Sequence, residues 1–283
     1  MGPTELLALG VVVTIVAIWL GRRMGADDAE VKRWAEATGI DLTPESTLVV
    51  QRYLLWNRRG RRIGAFLGFI SPWLYSGVSG RTFDEGGWAL SLMLVGYLLG
   101  ALVAELVVDR GRVTGSIAVM QPRRLVDYLS VRLLTAQRAL GALALAMILP
   151  YGLLQPGSSI DLPGVGTIAW FGLGGASIAV IVEMIERRIV ARRQSLADIT
   201  DVEVDDAIRS TSIHVVAGAG LALLIQFAGP LVAITLAAGI PGEAGGIVGG
   251  VTIVVAFLLS ITCWISVAHP ARYQFRRGVG STA

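Results

Sequence analysis

The chain has 283 residues, of which 54% are hydrophobic and only 16% are charged, and its mean hydropathy is +0.66. A soluble domain carries about 25% charged residues, so the composition excludes an ordinary soluble protein and predicts an integral membrane protein. The single cysteine, Cys263, excludes an intramolecular disulfide and a cysteine-based metal cluster. The formal net charge of +3 is small, and its distribution along the chain is more informative than its size.

Apolar stretches long enough to cross a hydrocarbon core need about 17 to 25 helical residues. Seven of them lie near residues 4–20, 63–78, 87–108, 139–154, 167–185, 213–238 and 246–267. The sequence therefore predicts an all-α, polytopic transmembrane bundle that forms a single integral membrane domain over residues 1–283. The first stretch is expected to be retained as a span, because Arg22 and Arg23 follow the apolar run whereas a signal peptide has its bases in front.

Basic residues fall almost entirely on one side of these seven spans. The loops 21–62, 109–138 and 186–212 and the tail after the last span hold every lysine and arginine except Arg81. The positive-inside rule makes this side cytoplasmic and predicts an N-out, C-in topology with seven spans. Because Lys32 is the only lysine, the arginine usage indicates a GC-rich bacterial genome and hence a bacterial plasma membrane.

The cytoplasmic loops carry signals for short amphipathic helices. In the first loop, 43–45 combines an N-cap threonine with a proline and an acid in the first turn. In the third loop, Pro122 is predicted to begin a segment that feeds into the fourth span. In the fifth loop, 200–203 has a capping-box pattern, and the acidic residues that follow favour water or a protein partner over anionic lipid. The first segment is expected at the lipid interface.

Two acids near the ends of spans are the candidate functional residues. Glu105 ends the third span and Glu183 ends the fifth, and each could reach the headgroup zone or pair locally, as Glu183 could with Arg187 four residues later. The functional alternative is a cytoplasm-facing cavity in which both acids, with His214 and Arg138, bind a cation or relay a proton. Both interpretations stay open at the level of sequence.

A possible internal repeat relates these two acids. Glu105 and Glu183 are separated by 78 positions, as are Pro72 and Pro150. Under this offset, spans one to six would form three hairpins of one design, with span seven appended, in the manner of parallel repeats in transporters. The alternative is a chance match between helices rich in alanine and leucine.

Glycines at four-residue spacing predict close helix packing. They are Gly64 and Gly68, Gly96 and Gly100, Gly245 and Gly249, and Gly246 and Gly250. These pairs are expected inside the bundle, with contact to another subunit as the alternative for the doubled pair that opens span seven. The cluster Gly172, Gly174 and Gly175 fits either close packing or a broken helix.

No motif of a hydrolase, a zinc enzyme or a P-loop is present, so the sequence predicts no catalytic residues, no metal and no cofactor. The leading hypothesis is a non-enzymatic subunit or scaffold of a membrane complex, with cytoplasmic or membrane protein partners and no nucleic acid. The alternatives are a transporter or permease-like subunit, coupled to ions through Glu105 and Glu183 or driven by a separate ATPase, and an intramembrane enzyme. The oligomeric state is left open.

Overall fold

The computed structural model describes residues 28–79, 88–107, 124–149, 165–192, 199–240 and 242–268. These residues form seven α-helices and one short 3-10 helix, Leu125–Asp127, with no strand among them. The helices are α1 (Asp28–Thr38), α2 (Pro44–Ser79), α3 (Trp88–Val107), α4 (Val131–Ala146), α5 (Val165–Ala191), α6 (Ile199–Gly239) and α7 (Glu243–Ala268). The predicted all-α class is confirmed for this part of the chain.

Four of the helices, α3, α5, α6 and α7, are long and apolar enough to cross a membrane. This agrees with a membrane protein, and the four cover the predicted spans 87–108, 167–185, 213–238 and 246–267. The predicted spans 63–78 and 139–154 overlap α2 and α4, which are not among the four. The predicted span 4–20 lies outside the described residues, so the count of seven and the orientation stay predictions.

Two of the predicted cytoplasmic helices are not separate elements. The first-loop segment and the second predicted span form the single helix α2 of 36 residues, which is about 54 Å long. The fifth-loop segment likewise continues into α6, with 41 residues and a length of about 62 Å. Both exceed the hydrocarbon core of about 30 Å, so each must extend beyond it if it crosses a membrane. Arginine favours helix, so the polar stretch in α2 interrupts the apolar run without ending the helix.

The third loop differs from its prediction as well. Instead of a helix from Pro122, the chain forms the 3-10 helix Leu125–Asp127, where the Asp127 carboxylate accepts the Arg124 backbone N–H at 2.7 Å. The helix proper, α4, begins at Val131, because Ser130 is its N-cap and accepts the Leu133 N–H at 3.3 Å. The helical spacing was therefore correct only from Val131 onward.

The described residues divide into two compact units. The first contains α1, α2, α3 and the start of α6 up to Ser212. Its core joins one face of α1 to the first half of α2 and the start of α6. This core consists of Val31, Trp34, Val50, Tyr53, Val204, Ala207 and Ile208.

Helices α2 and α3 of the first unit pack antiparallel through an interface of glycines, Gly60, Gly64 and Gly68 against Gly96 and Gly100. A Cβ added at Gly64 would lie 2.1 Å from the Gly96 carbonyl oxygen, and one at Gly68 would lie 2.1 Å from that of Leu92. Real Cβ atoms do not approach backbone so closely, so only glycine fits here. We call these five residues the glycine interface. It holds the two helix backbones in direct contact, as small residues do in membrane helix pairs.

The second unit contains the 3-10 helix, α4, α5, the rest of α6, and α7. Helix α6 is its centre, because small residues bring the other helices against it. A Cβ at Gly220 would lie 2.6 Å from Val182 of α5, and one at Gly229 would lie 2.5 Å from Ala256 of α7. The membrane-length part of α6 is 56% buried, whereas that of α7 is only 11% buried. Helix α7 is thus peripheral and exposes apolar side chains along most of its length.

Candidate polar sites in the two units

Glu105 lies near the end of α3, and its side chain is fully buried in the first unit, with 0% exposed. Its Oε1 accepts hydrogen bonds from the Tyr53 hydroxyl at 2.8 Å and from the Asn57 side-chain amide at 2.7 Å. Tyr53 and Asn57 are four residues apart on α2, so they share one face of that helix. Ser212 donates to the Tyr53 hydroxyl at 3.3 Å. The carboxyl group is therefore enclosed by side chains of the first unit.

Two arginines bind backbone carbonyls in the same unit. The Arg192 guanidinium donates to the backbone carbonyl of Glu105. Arg209 is only 1% exposed, donates to the Arg192 carbonyl at 3.1 Å and pairs with Asp205 at 2.8 Å. A charge is costly to bury unless it is paired, and Asp205 supplies the opposite charge for Arg209.

Glu183, the second predicted site residue, forms an ion pair in the second unit. Arg138 of α4 donates to both of its oxygens, at 3.2 and 2.8 Å, and Arg187 of α5 donates to one of them. The side chains of Arg138 and Glu183 are 61% and 25% exposed. The hydrogen bond and the charge of Glu183 raise the pKa of the Arg138 guanidinium above its ordinary value. Arg138 and Glu183 are the two predicted site residues that the structure joins.

Glu186, which the sequence analysis did not select, is the buried acid of the second unit, with 0% exposed. The Gln137 side-chain amide donates to its Oε1 at 3.0 Å and to the Ala217 carbonyl at 3.3 Å. The other oxygen, Oε2, has no hydrogen-bond partner among the described residues. Glu186 rather than Glu183 therefore corresponds to Glu105, since each is a buried acid bonded to an amide of the preceding helix.

Two signals in the sequence point to Glu186. Asn57 and Gln137 are separated by 80 positions and Glu105 and Glu186 by 81, a closer match than the 78 positions between Glu105 and Glu183. Small residues of α5 also mark its packed face, at spacings of three and four. This face runs through Gly172, Gly175, Ala179 and Val182 to Glu186. Glu183 lies outside this pattern.

Consecutive helices are in contact within each unit: α2 with α3 in the first, and α4 with α5, α5 with α6, and α6 with α7 in the second. The predicted hairpin of spans one and two lies partly outside the described residues, so the repeat stays a prediction. The first helix of each hairpin carries a buried polar residue five positions after an arginine. These polar residues are Asn57, Gln137 and His214, the last of which is 5% exposed. His214 belongs to the second unit and Glu105 to the first.

The remaining predicted glycines fall into two groups. In α5, a Cβ at Gly172 would lie 2.6 Å from the Ile148 side chain, one at Gly174 2.6 Å from Phe227, and one at Gly175 2.7 Å from the Ala144 Cβ. This cluster lies in an uninterrupted helix, so its glycines permit close packing and do not break the helix.

The glycine pairs that open α7 face in different directions. Gly245 and Gly249 are buried, and a Cβ at Gly249 would lie 3.2 Å from the Ala237 Cβ. A Cβ at Gly246 or Gly250 would meet no atom within 4 Å in the described structure. Only the first pair thus takes part in packing within the second unit.

A groove of about 560 Å³ runs along the glycine interface of α2 and α3. Its walls are apolar side chains and glycines, apart from Trp56 and Arg59 at one end and Ser71 toward the other. Neither Glu105 nor any other acid lines it. Among the described residues, no three histidine, cysteine or acidic side chains are placed to hold a metal ion.

Comparisons of the chain with models of known protein families, with curated proteins and with solved structures found no match.

Proposed function

We propose that this chain is a multi-pass, non-enzymatic subunit or scaffold of a bacterial plasma-membrane complex, with seven spans in an N-out, C-in arrangement. The proposal rests on one observation: the candidate acids are bonded to other side chains of this chain. Glu105 is enclosed by Tyr53 and Asn57, and Glu183 is paired with Arg138. A substrate site would present such groups to a cavity, whereas the groove along α2 and α3 is apolar.

The first unit supplies a surface for a partner outside the membrane. The helix α1, the first half of α2 and the start of α6 enclose a core of their own, as an extramembrane module does. On the outer face of α2, Leu48 is 64% exposed and Val49 is 48% exposed. Because the adjoining loops carry most of the basic residues, this module belongs to the predicted cytoplasmic side. We assign the exposed face around Leu48 and Val49 to a cytoplasmic protein partner.

The assembly can be tested in native membranes. The tagged chain, solubilised in mild detergent, is expected to migrate in native electrophoresis as a complex larger than the chain alone. The double variant Leu48→Glu, Val49→Glu should release the chain, because buried charge opposes association at an apolar contact. A matched control, Val254→Glu on the exposed face of α7, tests whether any added acid has this effect. A complex that survives the double variant, or is lost equally in the control, would reject this surface.

The topology has its own test. With Cys263 replaced by alanine, a cysteine introduced at Ser158 should react with an impermeant thiol reagent added outside the cell. A cysteine at Ser195 should react only after the membrane is opened. The two positions lie outside the described residues and are chosen from the predicted loops. The reverse labelling pattern would contradict the N-out, C-in arrangement.

Proton-coupled transport is a second candidate, because Glu186 is a buried acid with one oxygen that has no partner among the described residues. It can be separated from the first proposal by reconstituting the purified chain in liposomes that contain a pH-sensitive dye. The scaffold proposal expects a proton flux equal to that of empty liposomes under an imposed potential. A flux above that level which is lost in Glu186→Gln would favour transport.

A further inference from the structure

The two buried acids occupy equivalent places in two hairpins but have different surroundings. In each hairpin, an amide side chain on the first helix donates to an acid near the end of the second, Asn57 to Glu105 and Gln137 to Glu186. In each hairpin, small residues extend the contact between the two helices away from the acid. The local geometry is thus the same, and any difference in the state of the acids comes from their other neighbours.

Glu105 receives two hydrogen bonds on one oxygen. Its Oε1 accepts one from the Tyr53 hydroxyl and one from the Asn57 amide. Its Oε2, like that of Glu186, has no hydrogen-bond partner among the described residues. The Arg192 guanidinium donates to the backbone carbonyl of Glu105.

Among the described residues, Glu186 has one side-chain donor. From α4 it receives one hydrogen bond from Gln137, and that amide group is shared with the Ala217 carbonyl of α6. The charged groups that act on it are Glu183, on its own helix, and Arg138. Arg138 makes both of its hydrogen bonds to Glu183, so it neutralises that acid. A second negative charge at Glu186 would therefore be buried next to Glu183 with a single donor.

We infer that Glu186 is a proton-binding site near the end of α5, and that it is occupied by a proton at neutral pH. The ligand is the proton itself, and the site consists of the Glu186 carboxyl group and the Gln137 amide. Burial of an unpaired carboxylate is far more costly than burial of the neutral acid, and protonation removes that cost.

The inference can be tested with dicyclohexylcarbodiimide on the intact chain in membrane vesicles. The protonated carboxyl group adds its O–H across one C=N bond of the reagent, and the O-acylisourea then rearranges to a stable N-acylurea with no leaving group. The anion does not undergo this addition. Peptide mass spectrometry then identifies the modified acid. We expect an adduct on Glu186 that decreases as the pH is raised from about 5 to about 9, and none on Glu183, which is paired with Arg138 and Arg187.

Matched variants keep the test independent of folding and of the proposed function. Glu105→Gln should leave the Glu186 adduct unchanged, and Glu186→Gln should remove it. Gln137→Leu should extend labelling to higher pH, because it removes the one donor that stabilises the anion. The absence of an adduct on Glu186 at every pH, or equal labelling of Glu183, would overturn the inference. Neither result depends on whether the chain has a protein partner, so the scaffold proposal can fail or hold separately.

Discussion

The α2–α3 hairpin and the α4–α5 hairpin use the same polar pair but pack in different ways. In the first, the backbones touch along the glycine interface, and a Cβ at Gly64 would lie 2.1 Å from a carbonyl oxygen. In the second, the nearest atoms to a Cβ at each glycine are side-chain atoms, as at Gly141 with the Ala179 Cβ at 2.6 Å, although a Cβ at Gly172 would also lie 2.8 Å from the Ala144 carbonyl oxygen. A side chain can move by a few tenths of an ångström, whereas two helix backbones in contact cannot. The first hairpin therefore depends on glycine itself, and the second depends on small residues in general.

Among the predicted changes, substitution in the glycine interface should disturb the folded protein most. Gly64→Leu or Gly96→Leu would place a side chain where the partner backbone lies, so the two helices must separate. Overpacking in a core that can adjust costs about 1 to 3 kcal/mol, and this contact leaves no room to adjust. We expect loss of the monodisperse peak in size-exclusion chromatography. Gly246→Leu, which meets no atom within 4 Å, is the matched control and should elute like the wild type.

The second hairpin should tolerate a methyl group better. Gly141→Ala places a Cβ 2.6 Å from the Ala179 Cβ, and a small shift of α4 can relieve this contact. We expect a destabilisation of about 1 to 3 kcal/mol, with retention of the folded state. Thermal unfolding in detergent, compared with Gly64→Ala, measures the difference. Equal destabilisation by the two alanines would show that the hairpins do not differ in their need for glycine.

Removal of the amide donors should affect both hairpins by similar amounts. Asn57→Ala leaves Glu105 with one donor, and Gln137→Ala leaves Glu186 with none among the described residues. Loss of a partner to a buried acceptor costs about 1 to 3 kcal/mol. Thermal unfolding should show a lower midpoint for each variant. A midpoint equal to that of the wild type in either case would mean that water replaces the amide there.

Replacing each acid by glutamine should separate the hairpins again, by a smaller amount. Glu105→Gln puts a side-chain amide where Tyr53 and Asn57 both donate to a carboxyl oxygen, so it should destabilise the protein by about 1 kcal/mol, the scale of one hydrogen bond. Glu186→Gln resembles the protonated acid and should leave the unfolding midpoint close to that of the wild type. A larger effect at Glu186 than at Glu105 would contradict this expected difference.

The exposed ion pair should contribute least. Arg138→Ala removes the bidentate partner of Glu183, but the side chain of Arg138 is 61% exposed and Arg187 remains to pair with the acid. Exposed pairs are screened by water and salt, so we expect no measurable change in the unfolding midpoint at physiological salt. A clear shift would mean that Arg138 also supports Glu186, and the labelling of Glu186 should then change in the same variant.

The apolar helices were the part of the fold that could be predicted most closely. The span expected at 87–108 is α3, Trp88–Val107, and the span expected at 246–267 lies within α7, Glu243–Ala268. A run of apolar residues of this length is stable in lipid as an α-helix, because the helix satisfies every backbone polar group within the segment. The ends of α2 and α6 were not predicted, since a helix continues through charged residues as readily as through apolar ones.

The candidate site likewise has a part that the sequence predicted and a part that it did not. Glu105 was selected from its place at the end of a span, and the structure surrounds it with Tyr53 and Asn57, which no local pattern connects to it. Glu183 and Glu186 are three residues apart, so they point about 60° apart around α5. Composition and spacing place both near the end of a span. Only the rotation of α5 about its axis decides which acid is buried, and the contacts of Gly172, Gly175 and Ala179 fix that rotation.

By itself, the sequence determined the helical class, the apolar stretches that form the four membrane-length helices, and the short list of acids and glycines that could matter. These follow from local chemistry, because hydropathy and helix geometry depend on neighbouring residues alone. The tertiary structure decided the rest. It joined α2 to α3 through the glycine interface and enclosed Glu105 with α2. It also buried Glu186 beside Gln137 and left Glu183 in an ion pair with Arg138, since burial depends on which face of a helix meets another helix.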